Sequence, residues 1–498
     1  MKVLIANRGE IALRVMNACR ELSMPCVAVY SEADRGAPHT RYADESICIG
    51  PASASESYLN IDAVLSAARH SGAHAIHPGY GFLSENAEFA RAVEGAGLIF
   101  IGPKPDTLDM TGDKLTARQF AREAGLPVLE GPDIPVNAEI SASDLAQGVE
   151  FPVLIKAVSG GGGRGIRIAH DPTQLESMIA AARQEASAAF GDDQVYLEPL
   201  VRQARHIEVQ ILGDGNGSVL ILGDRECSIQ RRMQKLIEEA PAPGLKKALR
   251  QRLYRYALQV GQALNYRSLG TVEFLLDQHN EPYFIEINPR IQVEHPVTEM
   301  VTGIDLVQAQ LRLAGGQPLA LRQEQVRQHG AAIEVRVLTE DPEHGFMPAT
   351  GEINYLNYPL GPGIRIDGAV SPGMQINADY DSLLLKLIVW GEDRSKALHR
   401  MRRALDEFQL SGVQTDLDFL KRVIESPRFV AGKVDTSYLD SFQPVLPERE
   451  TELEENAAVA TALLLHQTRS GQHKLTEPQT TLFNTWRAAA WREQMTGN

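Results

Sequence analysis

The stretch from Phe284 to Thr298 reads FIEINPRIQVEHPVT, and polar side chains occupy every second residue of it. These polar residues are Glu286, Asn288, Arg290, Gln292 and Glu294. An extended strand directs successive side chains to opposite faces, so the pattern predicts one strand with a polar face and an apolar face. A face with two carboxylates, two amides and a guanidinium can hold a cation, an anion and a catalytic base. Pro289 predicts an edge strand or a bend, because proline cannot donate to the ladder.

A half-buried strand with a solvated polar face is the alternative interpretation of this alternation. Such faces are more often filled with Lys, Thr and Ser than with acids and amides. The functional interpretation is favoured, because clustered acidic groups mark sites of chemistry more often than chance.

The bulk composition is that of a globular protein with several domains. The chain has 498 residues, of which 43% are hydrophobic and 23% are charged. That length exceeds what one hydrophobic core organises, so two to four domains are expected. The net charge of −15 disfavours nucleic acid as a partner, although a few cations in one cleft can still bind an anionic small substrate.

The cysteines and the apolar runs indicate a cytoplasmic protein. The four cysteines, Cys19, Cys26, Cys48 and Cys227, form no CxxC pair and predict reduced, mostly buried thiols. The apolar run at the start is too short for a signal peptide. We expect no membrane association, because no stretch approaches the ~20 apolar residues of a membrane span.

Strand-like and helical patterns divide the chain into successive regions. Residues 1 to about 110 alternate short apolar runs with helical stretches, which predicts a parallel α/β domain. A smaller unit follows at about 130–202, and strands dominate 206–294, with a hairpin joining Thr271–Leu276 to Tyr283–Glu286. A further module begins near Gly330, strand-rich at first and then helical.

A glycine-rich loop lies between two predicted strands, directly after Lys156. Residues 160–165 fit GxGxxG, but a strand and not a helix follows them, which excludes a dinucleotide-binding fingerprint. No Lys-Ser/Thr pair follows the glycines, which excludes a Walker A loop. The pattern predicts a mobile flap whose N–H groups cover phosphates while Lys156 balances their charge. A flexible surface hairpin is the alternative.

Two acids lie inside apolar strands of the predicted hairpin. Glu273 falls in TVEFLL and Glu286 in YFIEIN, where two carboxylates would repel each other and be poorly solvated. A cation relieves both costs, and with Asn288 the oxygen ligands favour Mg²⁺ or Mn²⁺ over zinc. The alternative is that one acid points outward and the other pairs with an arginine.

Three groups of cations complete the candidate site: Lys114, His206 and the basic run 231–235. Each alone would be an ordinary surface charge. The glycine flap and the acid pair make them candidates for the same site.

At this point the sequence resembles the biotin carboxylase component of biotin-dependent carboxylases. The matching blocks follow the family's order over most of the chain. They are ANRGEIALRV (6–15), HPGYGFLSEN (77–86), GDKLTAR (112–118), IKAVSGGGGRGIRI (155–168), RHIEVQILGDG (205–215), DRECSIQRR with QK and EEAPAP (224–243), EFLL (273–276), FIEINPRIQVEHPVTEMVTG (284–303), EVRVLTEDP (334–342) and YDSLLLKLIVWG (380–391). FMPATGEI and LIVWG are most similar to the acyl-CoA carboxylase branch.

The resemblance implies a multidomain α/β and α+β fold. The expected domains are a Rossmann-like pre-ATP-grasp domain at 1–112, an ATP-grasp domain at 113–328 with a mobile lid at 130–202, a β-rich C-terminal domain at 329–445, and a helical tail at 446–498.

The resemblance also implies roles for individual residues. ATP would be bound by Lys114, Lys156, Gly161, Gly162, Gly163, Glu198, His206, Gln230 and Leu275. Mg²⁺ or Mn²⁺ would be held by Glu273, Glu286 and Asn288. Bicarbonate would be held by Lys235, Arg290, Gln292 and Val293, with Glu294 as general base, and Arg336 would stabilise the biotin enolate near Tyr80 and Gly81.

Two positions depart from the family's usual pattern. Met233 stands where a histidine is common, and Pro199 where a lysine is frequent. Each is expected to alter nucleotide affinity, but neither removes a group assigned to catalysis.

Biotin is expected to arrive on a separate carrier protein. No lysine is flanked by methionine on both sides, and 443–498 are too short for a carrier domain plus a carboxyltransferase. The family suggests a homodimer or a larger complex with carrier and carboxyltransferase subunits. The tail, with Trp486 and Trp491, either docks a partner or folds back on its own module.

Two other functions compete with ATP-dependent biotin carboxylation. One is another ATP-grasp ligase that joins a carboxylic acid to an amine, for which Arg336 and the RIQVE segment leave little room. The other is a silent nucleotide-binding subunit, which would predict a lost catalytic group, and none is lost. The final acyl acceptor is a property of the carboxyltransferase and is not encoded in this chain.

Overall fold

The computed structural model describes residues 1–131, 149–158 and 165–442, with residues 456 and 459–463 of the tail. Residues Met1–Phe442 form one compact unit. Within the predicted tail helix, residues 459–463 are helical, and the rest of the tail lies outside the described residues.

The N-terminal part is a five-stranded sheet in the order β3-β2-β1-β4-β5, with every pairing parallel. Its strands are β1 Val3–Ile5, β2 Cys26–Ser31, β3 Glu45–Gly50, β4 Ala75–His77 and β5 Ile99–Phe100. The helices are α1 Gly9–Glu21, α2 Pro38–Tyr42, α3 Ile61–Ser71, α4 Ala87–Gly95, α5 Pro105–Gly112 and α6 Lys114–Glu123, with short 3₁₀ turns at Glu32–Asp34 and Ala54–Glu56. The predicted parallel α/β domain is confirmed, and the continuous apolar runs fit strands covered on both faces.

A small three-stranded antiparallel sheet in the order β7-β6-β8 forms the next layer. It consists of β6 Val153–Ala157, β7 Arg167–Ala169 and β8 Val195–Pro199, and helix α7 at Pro172–Phe190 packs on it. A strand therefore follows the glycine-rich loop, as predicted. The loop's own Gly161, Gly162 and Gly163 lie outside the described residues.

The largest sheet that the structure describes is antiparallel and has eight strands, in the order β13-β12-β9-β10-β11-β14-β21-β19. The strands are β9 Arg205–Asp214, β10 Val219–Arg231, β11 Gln234–Ala240, β12 Arg267–Leu276, β13 Pro282–Asn288, β14 Ala331–Leu338, β19 Ile364–Gly368 and β21 Leu383–Gly391. Helices α8 Lys247–Ala263, α9 His295–Thr302 and α10 Leu306–Ala314 accompany it. The sheet runs without a break across the expected boundary near 329, because β11 pairs with β14.

The C-terminal part adds short ladders and three helices. The ladders pair β15 Glu340–Asp341 with β16 Met347–Pro348, β17 Gly351–Glu352 with β20 Gln375–Ile376, and β18 Tyr355–Asn357 with β22 Gln409–Ser411. The helices are α11 Arg394–Glu407, α12 Leu417–Glu425 and α13 Pro427–Val430, with 3₁₀ turns at Gln323–Gln325, Pro342–His344 and Leu439–Ser441.

The prediction of one extended strand from Phe284 to Glu294 is wrong. The hairpin of β12 and β13 is confirmed, but β13 ends at Asn288 and Glu294 is the residue that precedes helix α9. Pro289 stops the ladder at this edge of the sheet, as its missing N–H predicts. Pro296 in the first turn of α9 favours a helix start there.

The apolar face of the hairpin packs into the core, as the alternation predicts. Phe274, Phe284 and Ile287 are buried against Leu253 and Val260 of helix α8. This packing fixes the hairpin, so the polar side chains of β12 and β13 are held on the opposite face.

The burial of the cysteines and the polarity of the helices match what the sequence predicts. Cys19, Cys26 and Cys227 are buried free thiols, and Cys48 is an exposed one. None of the helices that the structure describes is both long and apolar enough to cross a bilayer.

Candidate active site

A cavity of about 430 Å³ lies at the polar face of the β12–β13 hairpin. Most of the predicted site residues line it: Tyr80, Gly81, Lys114, Lys156, His206, Gln230, Lys235, Glu273, Leu275, Glu286, Asn288, Arg290, Gln292, Val293 and Arg336. Glu198 and Glu294 lie behind the wall and contact Lys156 and Lys235, respectively. The structure therefore brings together every predicted site residue that it describes.

The acid pair occupies facing positions of the hairpin. Glu273 on β12 is the direct cross-strand partner of Glu286 on β13, and Asn288 follows two residues later on the same face. The side chain of Asn288 donates to Glu273 Oε1 at 2.8 Å and to Glu286 Oε1 at 3.3 Å. Two carboxylates and an amide on one face supply oxygen ligands of the kind that Mg²⁺ prefers, so these residues fit the predicted metal.

Glu273 is the most connected of these acids. Its Oε1 accepts hydrogen bonds from Lys235 at 2.9 Å and Gln292 at 3.0 Å, and its Oε2 lies 2.7 Å from His206 Nε2. Burial alone would raise the pKa of Glu273, but Lys235 and His206 hold that pKa well below its usual range. Glu273 is therefore ionised at neutral pH.

Glu294 lies between two cations at the other end of the cavity. Its Oε1 accepts from Lys235 Nζ at 2.7 Å, and its Oε2 accepts from Arg336 Nη2 at 2.9 Å. Burial would raise the pKa of Glu294, but Lys235 and Arg336 outweigh burial and hold it far below the usual value. The carboxylate is thus a proton acceptor that is already deprotonated.

Lys235 joins the two ends of the cavity. It lies on β11, and its ammonium contacts Glu208 at 2.6 Å as well as Glu273 and Glu294. Burial would lower the pKa of Lys235, but these three carboxylates raise it well above the usual value. The lysine stays charged and can transfer its hydrogen bonds to an incoming anion.

The small sheet of β6, β7 and β8, which lies in the region expected to form the lid, contributes a second group of charges. Lys156 on β6 ion-pairs with Glu198 on β8, and Arg118 from α6 binds the other oxygen of the same carboxylate. Lys114, at the start of α6, donates to the carbonyl of Ala157 at 3.2 Å. Burial lowers the pKa of Lys114. Two lysines thus point into the cavity from the lid side, where an anionic ligand would meet them.

Arg290 and Gln292 lie in the segment between β13 and α9. Arg290 binds Glu85, and it also donates to Gln292 Oε1 at 2.7 Å and to Asn288 Oδ1 at 3.0 Å. Gln292 in turn reaches Glu273. The turn after Asn288 therefore brings the predicted metal and bicarbonate groups into direct contact, closer than one extended strand would allow.

Several charged residues of the site were not predicted from the sequence. Arg336 Nε donates to Glu238 Oε1 at 2.6 Å. Glu208 forms ion pairs with two cations, Lys235 and the fully buried Arg225. Glu238 falls inside EEAPAP and Glu208 inside HIEVQ, where acids within apolar strands were a usable signal. The pKa of Glu238 is raised to about 7, chiefly by burial.

The two unusual residues lie at the edges of the site. Met233 lines the cavity in the tight turn between β10 and β11, where it and Arg232 have positive φ angles of 63° and 49°. Pro199 is the last residue of β8, next to Glu198. Both are positioned at the wall of the cavity or beside it.

Three family models match the chain in the order of its parts. They are the biotin carboxylase N-terminal domain at 1–108, the carbamoyl-phosphate synthase L chain ATP-binding domain at 113–322 and the biotin carboxylase C-terminal domain at 334–441. Together these matches cover most of the sequence.

Curated relatives are similar over nearly their whole length. A biotin carboxylase of Nostoc sp. is 50% identical over 438 residues, which are 88% of this chain and 98% of the relative. Biotin carboxylase 1 of Bacillus subtilis is 46% identical over 442 residues, which are 89% of this chain and 98% of the relative.

Solved structures show the same fold. The biotin carboxylase domain dimer of Hydrogenobacter thermophilus 2-oxoglutarate carboxylase, in complex with MgADP, ADP and bicarbonate, has a TM-score of 0.86 at 44% identity, covering 88% of this chain and 97% of that one. The Campylobacter jejuni biotin carboxylase complex with β-γ-ATP has a TM-score of 0.85 at 44% identity, covering 89% and 98%. With these matches to family models, relatives and structures, the chain belongs to the biotin carboxylase family.

Proposed function

We propose that this chain carboxylates biotin at the expense of ATP, with bicarbonate as the carbon source and a separate carrier protein as the bearer of biotin. The observation that carries the proposal is Glu294, which is buried, ionised and held directly behind the cavity wall between Lys235 and Arg336, which line the cavity. A base between two cations suits a reaction that deprotonates one anion and stabilises another.

In the first step, Glu294 takes the proton of bicarbonate. Lys235 and Arg290 balance the charge of the anion, and Gln292 orients it. When Lys235 turns from Glu294 to the anion, Glu294 loses a stabilising cation and becomes a stronger base. The bicarbonate oxygen then attacks the γ-phosphorus of ATP, ADP leaves, and carboxyphosphate remains.

The lid side and the hairpin would bind the nucleotide. Lys114, Lys156 and His206 would contact the phosphates, Glu198 would lie at the adenine edge, and Gln230 and Leu275 would line the base. Glu273, Glu286 and Asn288 would hold Mg²⁺ or Mn²⁺, which neutralises phosphate charge when bound. The glycines Gly161–Gly163 would close over the phosphates and exclude water.

In the second step, carboxyphosphate breaks down to CO2 and phosphate. The phosphate accepts the N1 proton of biotin, and N1 attacks CO2 to form the new carbon–nitrogen bond. Arg336 would stabilise the ureido oxygen as it becomes negative, with Tyr80 and Gly81 beside the ring. The carboxylated biotin then leaves on its carrier for a carboxyltransferase.

Several finer expectations belong to the same proposal. We infer an assembly of the acyl-CoA carboxylase type, with the chain as a homodimer or as part of a larger complex. The domain limits given by the resemblance, a cytoplasmic location and the lack of nucleic-acid partners are part of this proposal as well.

ADP release tests the function directly. The full chain is assayed with ATP, bicarbonate, Mg²⁺ and free biotin, and each is omitted in turn. We expect turnover only when all four are present, and we expect Glu294→Gln to abolish it while ATP-Mg²⁺ still binds. ADP release indifferent to both bicarbonate and biotin would refute the proposal. Loss of nucleotide binding in Glu294→Gln would refute the role of Glu294 as base.

A further inference from the structure

Lys386 is a fully buried lysine that lies outside the cavity wall. It occupies the middle of strand β21, in the apolar run LLLKLIV, and its side chain is 0% exposed. A buried ammonium costs free energy unless it is paired, and a leucine or methionine would fill a sheet position more cheaply. Its contacts therefore indicate what it does.

The ammonium of Lys386 holds the backbone beside the proposed base. Its Nζ donates to the carbonyl oxygen of Val293 at 2.8 Å. That carbonyl belongs to the peptide that joins Val293 to Glu294, directly before helix α9. Lys386 thus fixes the orientation of the peptide that carries Glu294.

The same ammonium is also linked through Glu10 to Tyr80, a second residue that lines the cavity. Lys386 Nζ lies 3.1 Å from Glu10 Oε1, and this same oxygen accepts the hydroxyl of Tyr80. Glu10 comes from helix α1 and Tyr80 from the loop after β4, so the ammonium contacts Val293 and Glu10 directly and reaches Tyr80 through Glu10. Tyr80 lines the cavity at its biotin end.

Charge favours this arrangement at neutral pH. Burial would lower the pKa of Lys386, but Glu10, Glu334 and Asp367 raise it above the usual value. Burial and the neighbouring Glu10 raise the pKa of Tyr80 well above its usual value, so its hydroxyl remains a donor. The ammonium stays charged and the phenol stays protonated.

We infer that Lys386 and Glu10 are positioning residues that couple the biotin loop at Tyr80 to the bicarbonate segment at Val293–Glu294. The inference rests on the proposed function, because it assigns a purpose to the two ends of that site. Neither residue touches the reacting atoms. The link sets the distance between Glu294, where carboxyphosphate forms, and Tyr80, beside which biotin binds.

The coupling predicts a specific kinetic pattern. Lys386→Met should raise the KM for free biotin and for bicarbonate about tenfold, the effect of losing one charge-assisted hydrogen bond. The KM for ATP should stay at the wild-type value, because none of the described contacts of Lys386 involves the small sheet β6–β8 or Lys114. Glu10→Gln, a milder change that keeps an acceptor for Tyr80, should raise the KM for biotin in the same direction.

A double-mutant cycle separates coupling from general damage. Tyr80→Phe removes only the hydroxyl that Glu10 accepts. If the link exists, Tyr80→Phe combined with Glu10→Met, which leaves the Tyr80 hydroxyl without its acceptor, raises the KM for biotin less than the product of the two single effects. Multiplicative effects would show that Tyr80 and Glu10 act independently and would overturn the inference.

Arg394→Met is the matched control. It breaks an ion pair in which Arg394 Nε lies 2.6 Å from Glu239, and Arg394 does not line the cavity. It should lower Tm and leave all KM values unchanged. The same pattern in Lys386→Met and Glu10→Gln would mean a purely structural role and overturn the inference. If Lys386→Met does not fold, Glu10→Gln and the cycle decide.

The proposed function is tested separately by the wild-type chain. ADP release that does not depend on bicarbonate and biotin would overturn the function and the inference together. Normal wild-type kinetics with unchanged KM values in Lys386→Met and Glu10→Gln would overturn the inference alone.

Discussion

Buried carboxylates around Arg336 and Lys235 differ in ionisation because they contact different numbers of cations. Glu294 touches both Lys235 and Arg336, and its pKa is held far below the usual range against the effect of burial. Glu238 contacts Arg336, and burial raises its pKa to about 7. Glu294 is therefore ready to accept a proton, whereas Glu238 changes charge near neutral pH and adjusts the field around Arg336.

The raised pKa of Glu238 predicts a pH-dependent stability. Its value in the fold is about 7 against 4.5 for the ordinary group, so folding favours the protonated form. The resulting stabilisation is complete below pH 4.5 and is lost as the pH rises towards about 7. Wild type should thus lose on the order of 1–3 kcal/mol relative to Glu238→Gln across this window.

Urea denaturation of both proteins at several pH values checks the expectation. The difference in free energy of unfolding isolates Glu238, since the other acids titrate in both proteins. A difference that stays constant from pH 4.5 to 7, or that grows in favour of wild type as the pH rises, would contradict the raised pKa.

At the residue scale, local pattern predicted which polar groups of the hairpin lie together, but it did not predict their partners elsewhere in the chain. Glu273, Glu286 and Asn288 could be placed together because alternation and a hairpin dictate neighbours. Glu238 and Lys386 could not, because their contacts depend on how β11, β14 and β21 align, and strand register between distant segments is not written in either segment. An acid or lysine inside an apolar run was the available signal for both.

The β12–β13 hairpin is the element on which the site is built. Its existence and its polar face were predictable from alternation. Pro289 predicted an edge strand or a bend, but the expected polar row still continued as one strand to Glu294, whereas β13 ends at Asn288. After that end the chain turns, so Gln292 and Asn288 both reach Glu273 Oε1. A turn at this point gives a more compact site than a straight strand.

Packing behind the hairpin predicts the effect of a small substitution. A Cβ added at Gly270 of β12 would lie 2.2 Å from the hydroxyl oxygen and 2.4 Å from Cζ of the buried Tyr266. Gly270→Ala should therefore destabilise the fold by about 1–3 kcal/mol through overpacking. It should also lower activity, because β12 carries Glu273. Urea denaturation and ADP release measure the two effects.

Tyr266→Leu removes the ring that Gly270→Ala would strike. The double variant should be more stable than the sum of the two single losses predicts, because the clash exists only when both groups are present. Gly95→Ala, in helix α4 with nothing within 4 Å of the added carbon, is the control and should leave stability unchanged or slightly raised. Additive losses would show that the clash with Tyr266 is not the cause.

At the scale of the whole molecule, the sequence divides into regions more sharply than the structure does. The alternation of strands and helices predicted the N-terminal sheet, and a strand was expected on each side of the glycine-rich loop, where β6 and β7 lie. The continuity of the eight-stranded sheet through β11 and β14 was not predictable, because about 90 residues separate Ala240 from Ala331 and no local signal pairs them.

The location of the cavity predicts that the tail is dispensable for chemistry. Among the residues that the structure describes, those that line the cavity lie between Tyr80 and Thr436, and Met1–Phe442 form one compact unit. Deleting residues 446–498 should leave carboxylation of free biotin intact while weakening pull-down of the carrier subunit. An unchanged pull-down would argue that the tail does not dock this partner, and lost activity would show that the chemistry requires the tail.

The unbroken eight-stranded sheet also limits how this chain can be cut. A fragment that stops near residue 328 would strip β14 from β11 and leave a row of unpaired N–H and C=O groups along Gln234–Ala240, a surface that invites edge-to-edge aggregation. The same cut would separate Lys235 from Arg336. The boundary between the second and third family models, at 322–334, is therefore visible in the sequence but does not divide the sheet. Chimaeras of related chains should exchange the strands on both sides of this boundary together.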